Sequence, residues 1–487
     1  MPSSDAARKA RRAAVVRGLV WFHRWAGLLL CLLFAMWFAS GAVLTFVPFP
    51  SLSESDRLAR SEPIDWGKLQ VEPADLANRG SEMGDVSLVS VAGRPVYLAM
   101  TAGKLVATYG DDGTEADLIG PEIARHIAET FAGTAVAAVE PARAYDQWTV
   151  HQHFDPYRPF YRISVADEAE TQLYVSARSG EVLQRTTRSQ RLWNLGGAVM
   201  HWIYFTPIRS DWPLWNQLVW WLSLAAVFVA VAGFWLGILR YLYLRRAGRP
   251  GMTPYKRWMA WHHVSGLLFG TALLGWMVSG WLSMDHGRLF SRGQASALEA
   301  SAVRGMTVQQ ILRSESLTRI QHLGAAAQVD FGAVAGHPLV VLRGAGAPRL
   351  FLEATDPVSP LSRLPDTVLA AAVLGAWPGT GASSVNIVAP DDLYFLAEGM
   401  PEGTRSVESG STTIYLDPLL GRVVTVMDPS RRAYAWVYYA VHTLNFPGLA
   451  ARPLLRVSLV LILLSGGFVL SLTGVVIAAK RLRRSLS

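Results

Sequence analysis

Four long apolar runs interrupt a chain that is otherwise polar and rich in turns. They cover approximately 18–47, 214–239, 258–283 and 454–479. Each can supply the roughly 20 apolar residues that a helix needs to cross a hydrocarbon core of about 30 Å. Two long polar stretches, 48–190 and 284–430, separate the first run from the second and the third from the fourth. Each is followed by a shorter segment, 191–213 and 431–453, that leads into the next apolar run. Short basic pieces remain at 1–17, 240–257 and 480–487.

The polar stretches carry strand patterns. Residues 95–100, 104–109, 161–165 and 172–175 alternate, or run β-branched and aromatic, between Gly and Asp turns. Residues 121–131 have helical spacing with an acidic first turn. In the later stretch 308–312 predicts a helix, while 413–417, a turn at Gly421 and 423–426 predict a hairpin. The fold class expected is a membrane α-helical protein with four transmembrane helices, an internal two-fold repeat and two α+β domains outside the membrane.

The repeat is read directly from the residues. Trp21-Phe22-His23-Arg24-Trp25-Ala26-Gly27 through Ser40-Gly41 aligns without a gap on Ala260-Trp261-His262-His263-Val264-Ser265-Gly266 through Ser279-Gly280. At a second constant spacing Tyr174, Gly180, Arg191, His201, Phe205, Gly233 and Arg240 fall on Tyr415, Gly421, Arg432, His442, Phe446, Gly474 and Arg481.

Composition sharpens this picture. With 51% hydrophobic residues, 18 Trp and a mean hydropathy of +0.24, the chain is too apolar for an ordinary soluble enzyme of 487 residues. The first apolar run follows Lys9, Arg11, Arg12 and Arg17, as a secretory signal would, but exceeds the about 7–15 residues of a signal core and reads as a retained helix. Basic residues cluster before the first run, between the second and third, and after the fourth, so the positive-inside rule expects both termini in the cytoplasm. The net charge of +8 then reflects topology and lipid headgroups, and nucleic acid is not expected as a partner. One cysteine, Cys31 in the first run, excludes a disulfide framework and thiol redox chemistry. Gly344-Ala345-Gly346 and Gly379-Thr380-Gly381 lack the strand-turn-helix context of a dinucleotide fingerprint.

Candidate chemistry lies in the repeated histidines. His23 and His262 open the first and third runs, whereas His201 and His442 precede the second and fourth. Residues at opposite faces of a bilayer about 30 Å thick cannot share one small ligand, so partners come from opposite repeats, His23 with His262 and His201 with His442. Two imidazoles facing each other across an axis suit a flat cofactor ligated on both faces, and haem iron fits that geometry. Interfacial histidines flanked by Trp also occur in aromatic belts or as helix-to-helix hydrogen bonds. Four that coincide under one repeat point to ligation. His263 competes locally with His262, and the repeat register favours His262.

Gly27 and Gly266 lie four residues after their histidines, on the same helix face, where a side chain would fill a macrocycle's volume. Arg24, Lys256 and Arg257 at one face, with Arg191 and Arg432 at the other, are candidates for its propionates. If residues 147–153 are extended, His151 and His153 share a face with Gln147 and Thr149 and could bind a ferric chelate or metal. A satisfied strand or turn is the plainer reading of those two.

These residues together resemble the PepSY-associated transmembrane family of bacterial inner-membrane proteins. The likeness rests on Trp-Phe-His-Arg-Trp-Ala-Gly at 21–27, Leu-Tyr-Val-Ser-Ala-Arg-Ser-Gly-Glu-Val-Leu at 173–183, the segment 192–207 and Trp-His-His-Val-Ser-Gly at 261–266. It implies four helices with PepSY-like periplasmic domains and, in the iron-regulated branch, a haem b reductase of ferric siderophores with His23, His201, His262 and His442 as ligands. Two b haems, an electron donor that is a quinol or a cytoplasmic reductase, and a ferric chelate as acceptor are the corresponding expectations. The alternative is a non-enzymatic membrane-anchored PepSY protein that binds or regulates a peptidase or other envelope protein.

Overall fold

The computed structural model describes residues 4–78, 83–353, 359–378 and 384–486. The chain divides into a helical unit, made by residues up to Phe49, Leu192–Phe290 and the residues from Ala433 onward, and a sheet unit of Pro50–Arg191 and Ser291–Arg432.

Four helices dominate the helical unit: α1 (Ser4–Leu44), α2 (Trp212–Arg246), α3 (Trp258–Ser283) and α4 (Pro453–Leu486). All four are long and apolar enough to cross a membrane. Leu29, Leu32, Trp221, Phe228, Trp235, Leu268 and Ile462 are exposed on them, the surface a lipid environment would cover. The first helix begins well before residue 18. Ala6, Ala7, Ala10, Ala13 and Ala14, alternating with Arg and Lys, are strong helix formers and carry the helix beyond its apolar part without needing hydrophobicity. The start of α2 is fixed by Asp211, whose side chain accepts from the Leu214 N–H, with Pro213 in the first turn.

α1 packs on α4 and α2, and α3 packs on α2 and α4. Small residues allow this close approach. A Cβ at Gly467 would fall 2.4 Å from the Phe38 ring, one at Gly466 2.4 Å from Phe269, and one at Gly270 2.6 Å from Phe234. Phe34, Phe38, Trp276, Met277 and Leu464 form the apolar centre of the bundle.

Ahead of α2 and α4 the backbone widens into π-helical turns at Leu195–Val199 and Trp436–His442. Each is soon reversed by a left-handed residue, Ile203 (φ 56°) and Leu444 (φ 54°), both two positions after a histidine. Extra-wide turns and a β-branched residue at positive φ are costly, and they concentrate where a side chain must be aimed.

In the sheet unit the first polar stretch supplies β1 (Met83–Val91), β2 (Arg94–Thr101), β3 (Lys104–Tyr109), β4 (Val136–Val139), β5 (Phe160–Val165), β6 (Gln172–Ser176) and β7 (Val182–Thr186). The second supplies β8 (Gln328–Val334), β9 (His337–Arg343), β10 (Arg349–Leu352), β11 (Val385–Ile387), β12 (Arg405–Ser409), β13 (Thr412–Leu416) and β14 (Val423–Met427). The two stretches, expected as separate domains, share one sheet. β1 pairs antiparallel with β8, Ser87 opposite Asp330, to give the order β10-β9-β8-β1-β2-β3.

Strand alternation sends the two faces of this sheet into different cores. Val86, Leu88, Val329 and Phe331 pack with Ile311, Leu312 and Ile320 on one face. On the other, Val89 and Val91 join Ala124, Ala128 and Phe131 of the helix Pro121–Ala132, with Ile163 and Leu173 of the sheet β4-β5-β6-β7. Val334, Leu339 and Val341 likewise join Leu369 and Val373 of the helix Asp366–Ala376, with Ile414 and Leu416 of β11-β12-β13-β14. Gly344–Gly346 lies in the connection from β9 to β10, with no helix following, while Gly379–Gly381 lies outside the described residues.

Candidate functional site

α1 delivers His23 and α3 delivers His262, and their ring centroids lie 6.3 Å apart with planes inclined at 41°. The turns that precede α2 and α4 deliver His201 and His442, with centroids 6.5 Å apart and planes at 67°. One metal ion held from opposite sides by imidazole nitrogens at about 2.0–2.1 Å would put two ring centroids roughly 6 Å apart.

The hydrogen bonds fix which nitrogen is available. The Nδ1–H of His23 donates to the Val229 carbonyl at 3.1 Å. That of His262 donates to the Leu470 carbonyl at 3.3 Å and to Thr473 Oγ1 at 3.1 Å. Thr473 spends its own hydroxyl hydrogen on Leu470, so its oxygen accepts. The Nδ1–H of His201 donates to Ser40 Oγ at 3.0 Å, and that of His442 to Ser279 Oγ at 3.1 Å. Both serine hydroxyls donate in turn to carbonyls of their own helices, Met36 and Trp276. The carbonyl acceptors put the proton on Nδ1 of His23 and His262, and the same tautomer holds for His201 and His442 when the serine hydroxyl hydrogens stay on their helix carbonyls. An imidazole that gives its other N–H to a carbonyl or hydroxyl in this way is held in a ligating tautomer.

Each ring is backed by a glycine of a neighbouring helix. A Cβ at Gly233 would lie 2.4 Å from His23 Cε1, at Gly280 3.1 Å from His442 Cε1, at Gly41 3.4 Å from His201 Cε1 and at Gly474 3.7 Å from His262 Cε1. Trp37 Nε1–H donates to the His201 carbonyl at 3.0 Å and Trp276 Nε1–H to that of His442 at 2.8 Å. The paired tryptophans therefore anchor the turns that carry His201 and His442. Tyr438 stacks on the His442 ring at 5.6 Å.

Around His23 and His262 the four helices enclose a cavity of about 380 Å³. Phe34, Phe234 and Leu273 give it an apolar wall, and Arg24, Arg240 and Arg481 also line it. Gly27 and Gly266 line it too. A Cβ at Gly27 meets nothing within 4 Å, and one at Gly266 only Leu470 at 3.7 Å, so both leave space at the cavity wall. His263 donates Nε2–H to the Gly237 carbonyl at 3.1 Å, with Tyr255 edge-on at 5.4 Å. Among the described residues no three His, Cys, Asp or Glu side chains gather as a metal site. The donor set at each end is thus two imidazoles, which suits an ion whose remaining ligands arrive with a cofactor.

Arg191 donates to the Thr186 and Glu170 carbonyls and Arg432 to Thr413 Oγ1, each tied to its own four-stranded sheet or the loop beside it. Lys256 and Arg257 are not among the residues lining the cavity. The stretch around His153 is not extended. Gln152–Tyr157 forms a tight 3₁₀ turn because Arg158 gathers the Thr149 and His151 carbonyls beneath it. The His151 and His153 rings nevertheless stack at 5.5 Å. Burial, and then the Arg158 charge, hold the His153 imidazole below its usual pKa.

Reading one helix at a time misses Gly233, Gly474, Gly41, Gly280, Ser40, Ser279 and Thr473, because each acts on a histidine of another segment. Gly233 with Gly474, and Ser40-Gly41 with Ser279-Gly280, fall at the same two constant spacings as the histidine couples, and that coincidence was the available signal.

Four apolar spanning helices joined to a strand-rich α+β unit define a multi-pass membrane protein. Residues 20–481 match the family described as the PepSY-associated TM region, and the chain belongs to that family. No curated protein matches the chain.

Proposed function

We propose that the chain is a two-haem electron conduit of the bacterial inner membrane. One b-type haem would be held by His23 and His262 and a second by His201 and His442. The observation that carries this reading is the pairing itself: two imidazole couples with centroids 6.3 and 6.5 Å apart, every Nδ1 tied to a carbonyl or hydroxyl. When bound, the haems supply one-electron redox chemistry. The chain's own part is to fix the tautomers through Val229, Leu470, Thr473, Ser40 and Ser279, to make room with glycine, and to exclude water with Phe34, Phe38 and Trp276.

The two halves are read as an internal duplication, related by an axis that passes between the members of each histidine couple. The basic ends of the helices support, through the positive-inside rule, a cytoplasmic side for the His23–His262 couple and both termini and a periplasmic sheet unit. A quinol or a cytoplasmic reductase would supply electrons. The acceptor we assign is a ferric siderophore or similar chelate, by analogy with the iron-regulated members that the sequence resembles. Ferrous iron binds hard oxygen ligands less tightly, so reduction releases the metal.

A pyridine haemochrome measurement on the purified chain tests the reading. Wild type should carry two haems, and His262→Ala and His442→Ala should each lose a different one. Retention of both haems by both variants refutes the ligand assignment. A colourless wild-type protein leaves the membrane-anchored binding protein as the function.

A further inference from the structure

We propose that the buried guanidinium of Arg209, with Arg456 as its counterpart, is a fixed positive charge that raises the midpoint potential of the cofactor held by His201 and His442. The inference rests on the haem reading and adds to it two residues that set how readily that couple takes an electron.

Arg209 is only 3% exposed. Its guanidinium carbon lies 5.0 Å from the centre of the Tyr204 ring, 4.7 Å from that of Trp212 and 4.9 Å from that of Trp215, and its side chain hydrogen-bonds Tyr204. Its Nε is buried without a hydrogen-bond partner. Among the described residues no carboxylate forms an ion pair with Arg209. Asp211, two positions on, accepts instead from the Leu214 N–H. A guanidinium does not shed its proton, so the charge is permanent. Aromatic faces offset only part of the cost of burying it, and an uncompensated cation at this depth points to a task for its field.

The aromatic cage ties that charge to the turn that carries His201. Trp215 Nε1–H donates at 2.9 Å to the carbonyl of Trp202, the residue after His201, and the Trp202 and Tyr204 rings lie 5.2 Å apart. Arg456 and Thr443 stand from Trp215 and Trp202 at the spacing that separates His442 from His201. Arg456 Nη1–H donates at 3.2 Å to the carbonyl of Thr443, the residue after His442. Each member of the couple thus has an arginine gathered at its own turn. Reduction places one electron on the iron, moves no proton and breaks no bond, so it lowers the positive charge of the site by one. Cations held nearby in a medium of low dielectric favour that state.

The test uses full-length His262→Ala protein, which keeps only the His201–His442 couple, loaded with haem and titrated potentiometrically while its absorption spectrum is followed. Arg209→Gln in that background should make reduction at least threefold less favourable at a fixed potential, with the bis-imidazole spectrum retained. Arg209→Lys, which keeps the charge, should hold the parent midpoint. Arg456→Gln should lower the midpoint as well, and because Arg456 is half-buried and outside the cage it carries the test if Arg209→Gln does not fold. A folded Gln variant that keeps the parent midpoint, or an Arg209→Lys protein whose midpoint falls as far as that of Arg209→Gln, overturns the proposal, since a cage with a purely structural role would not tell Lys from Gln by potential. A His262→Ala protein that keeps its helical circular dichroism and binds no haem overturns the haem reading itself.

Discussion

Gly233 offers the sharpest test of how the helices hold the first histidine couple. An alanine there would put a methyl carbon 2.4 Å from His23 Cε1, 3.0 Å from Nδ1 and 3.2 Å from Nε2, where ordinary contact begins near 3.4 Å. The ring must therefore retreat by about 1 Å, against a tolerance for metal–ligand distances of roughly 0.2 Å. Retreat also stretches the Nδ1 bond to Val229, one turn away on the same helix as Gly233. Folding itself should change little. Overpacking costs about 1–3 kcal/mol, and replacing an interior helical glycine by alanine returns about 1 kcal/mol. Gly474 is the matched control, because its added carbon would sit at an ordinary 3.7 Å from His262 Cε1. The assay is haem stoichiometry with low-temperature electron paramagnetic resonance. Gly233→Ala should lose one haem, or convert it from a low-spin bis-imidazole to a high-spin signal, while Gly474→Ala keeps both low-spin. Equal behaviour of the two variants would refute the claim that ring clearance at Gly233 governs ligation.

Ser279→Ala removes the acceptor that holds the His442 tautomer, and loss of such a supporting partner should weaken cofactor binding at that couple by about 10–100-fold, read by competition with apomyoglobin. Thr473→Val should do less, since the Leu470 carbonyl still accepts from His262. Gly180→Ala, at φ 71° and with its new carbon 2.4 Å from Val91, should destabilise the sheet unit by about 1–3 kcal/mol, read as faster hydrogen exchange in β1 and β6 of the full-length chain. Burial holds the Glu315 carboxyl above its usual pKa, with Arg319 pulling the other way. Because the folded value is raised, this site's contribution is fully present below the unfolded pKa and is lost as pH rises through the folded one. A thermal unfolding series across that range should decline for wild type and flatten for Glu315→Gln.

Much of the helical unit was legible because its signals are local. Apolar run length marked the four helices, and the ungapped match of 21–41 with 260–280 singled out His23 and His262 before any contact was known. What lay between segments was not legible. Gly27 and Gly266 attracted notice by sharing a helix with His23 and His262, yet the glycines that touch the rings belong to other helices. The joined sheet escaped for the same reason, since the β1–β8 pairing links residues far apart in the chain. A local signal for it did exist. Val91-Ala92-Gly93-Arg94-Pro95 and Val334-Ala335-Gly336-His337-Pro338 are near copies, and both hairpins turn on Ala-Gly at positive φ.

The two histidine couples are built from the same parts with the roles exchanged. At one end α1 and α3 carry the histidines, and α2 and α4 supply Gly233, Gly474 and the acceptors Val229 and Leu470. At the other, the turns ahead of α2 and α4 carry the histidines, and α1 and α3 supply Gly41, Gly280, Ser40 and Ser279. Every helix thus works at both ends, and a shift of one helix along its axis must disturb both couples. Bulk introduced at the mid-bundle contact of Phe38 with Gly467, where a Cβ would fall 2.4 Å from the ring, lies in neither couple. Gly467→Val should therefore alter both low-spin signals together, whereas Gly233→Ala alters one. If Gly467→Val changed a single signal or none, the helices would not be acting as rigid struts between the two ends, and the exchange of roles would have no mechanical consequence.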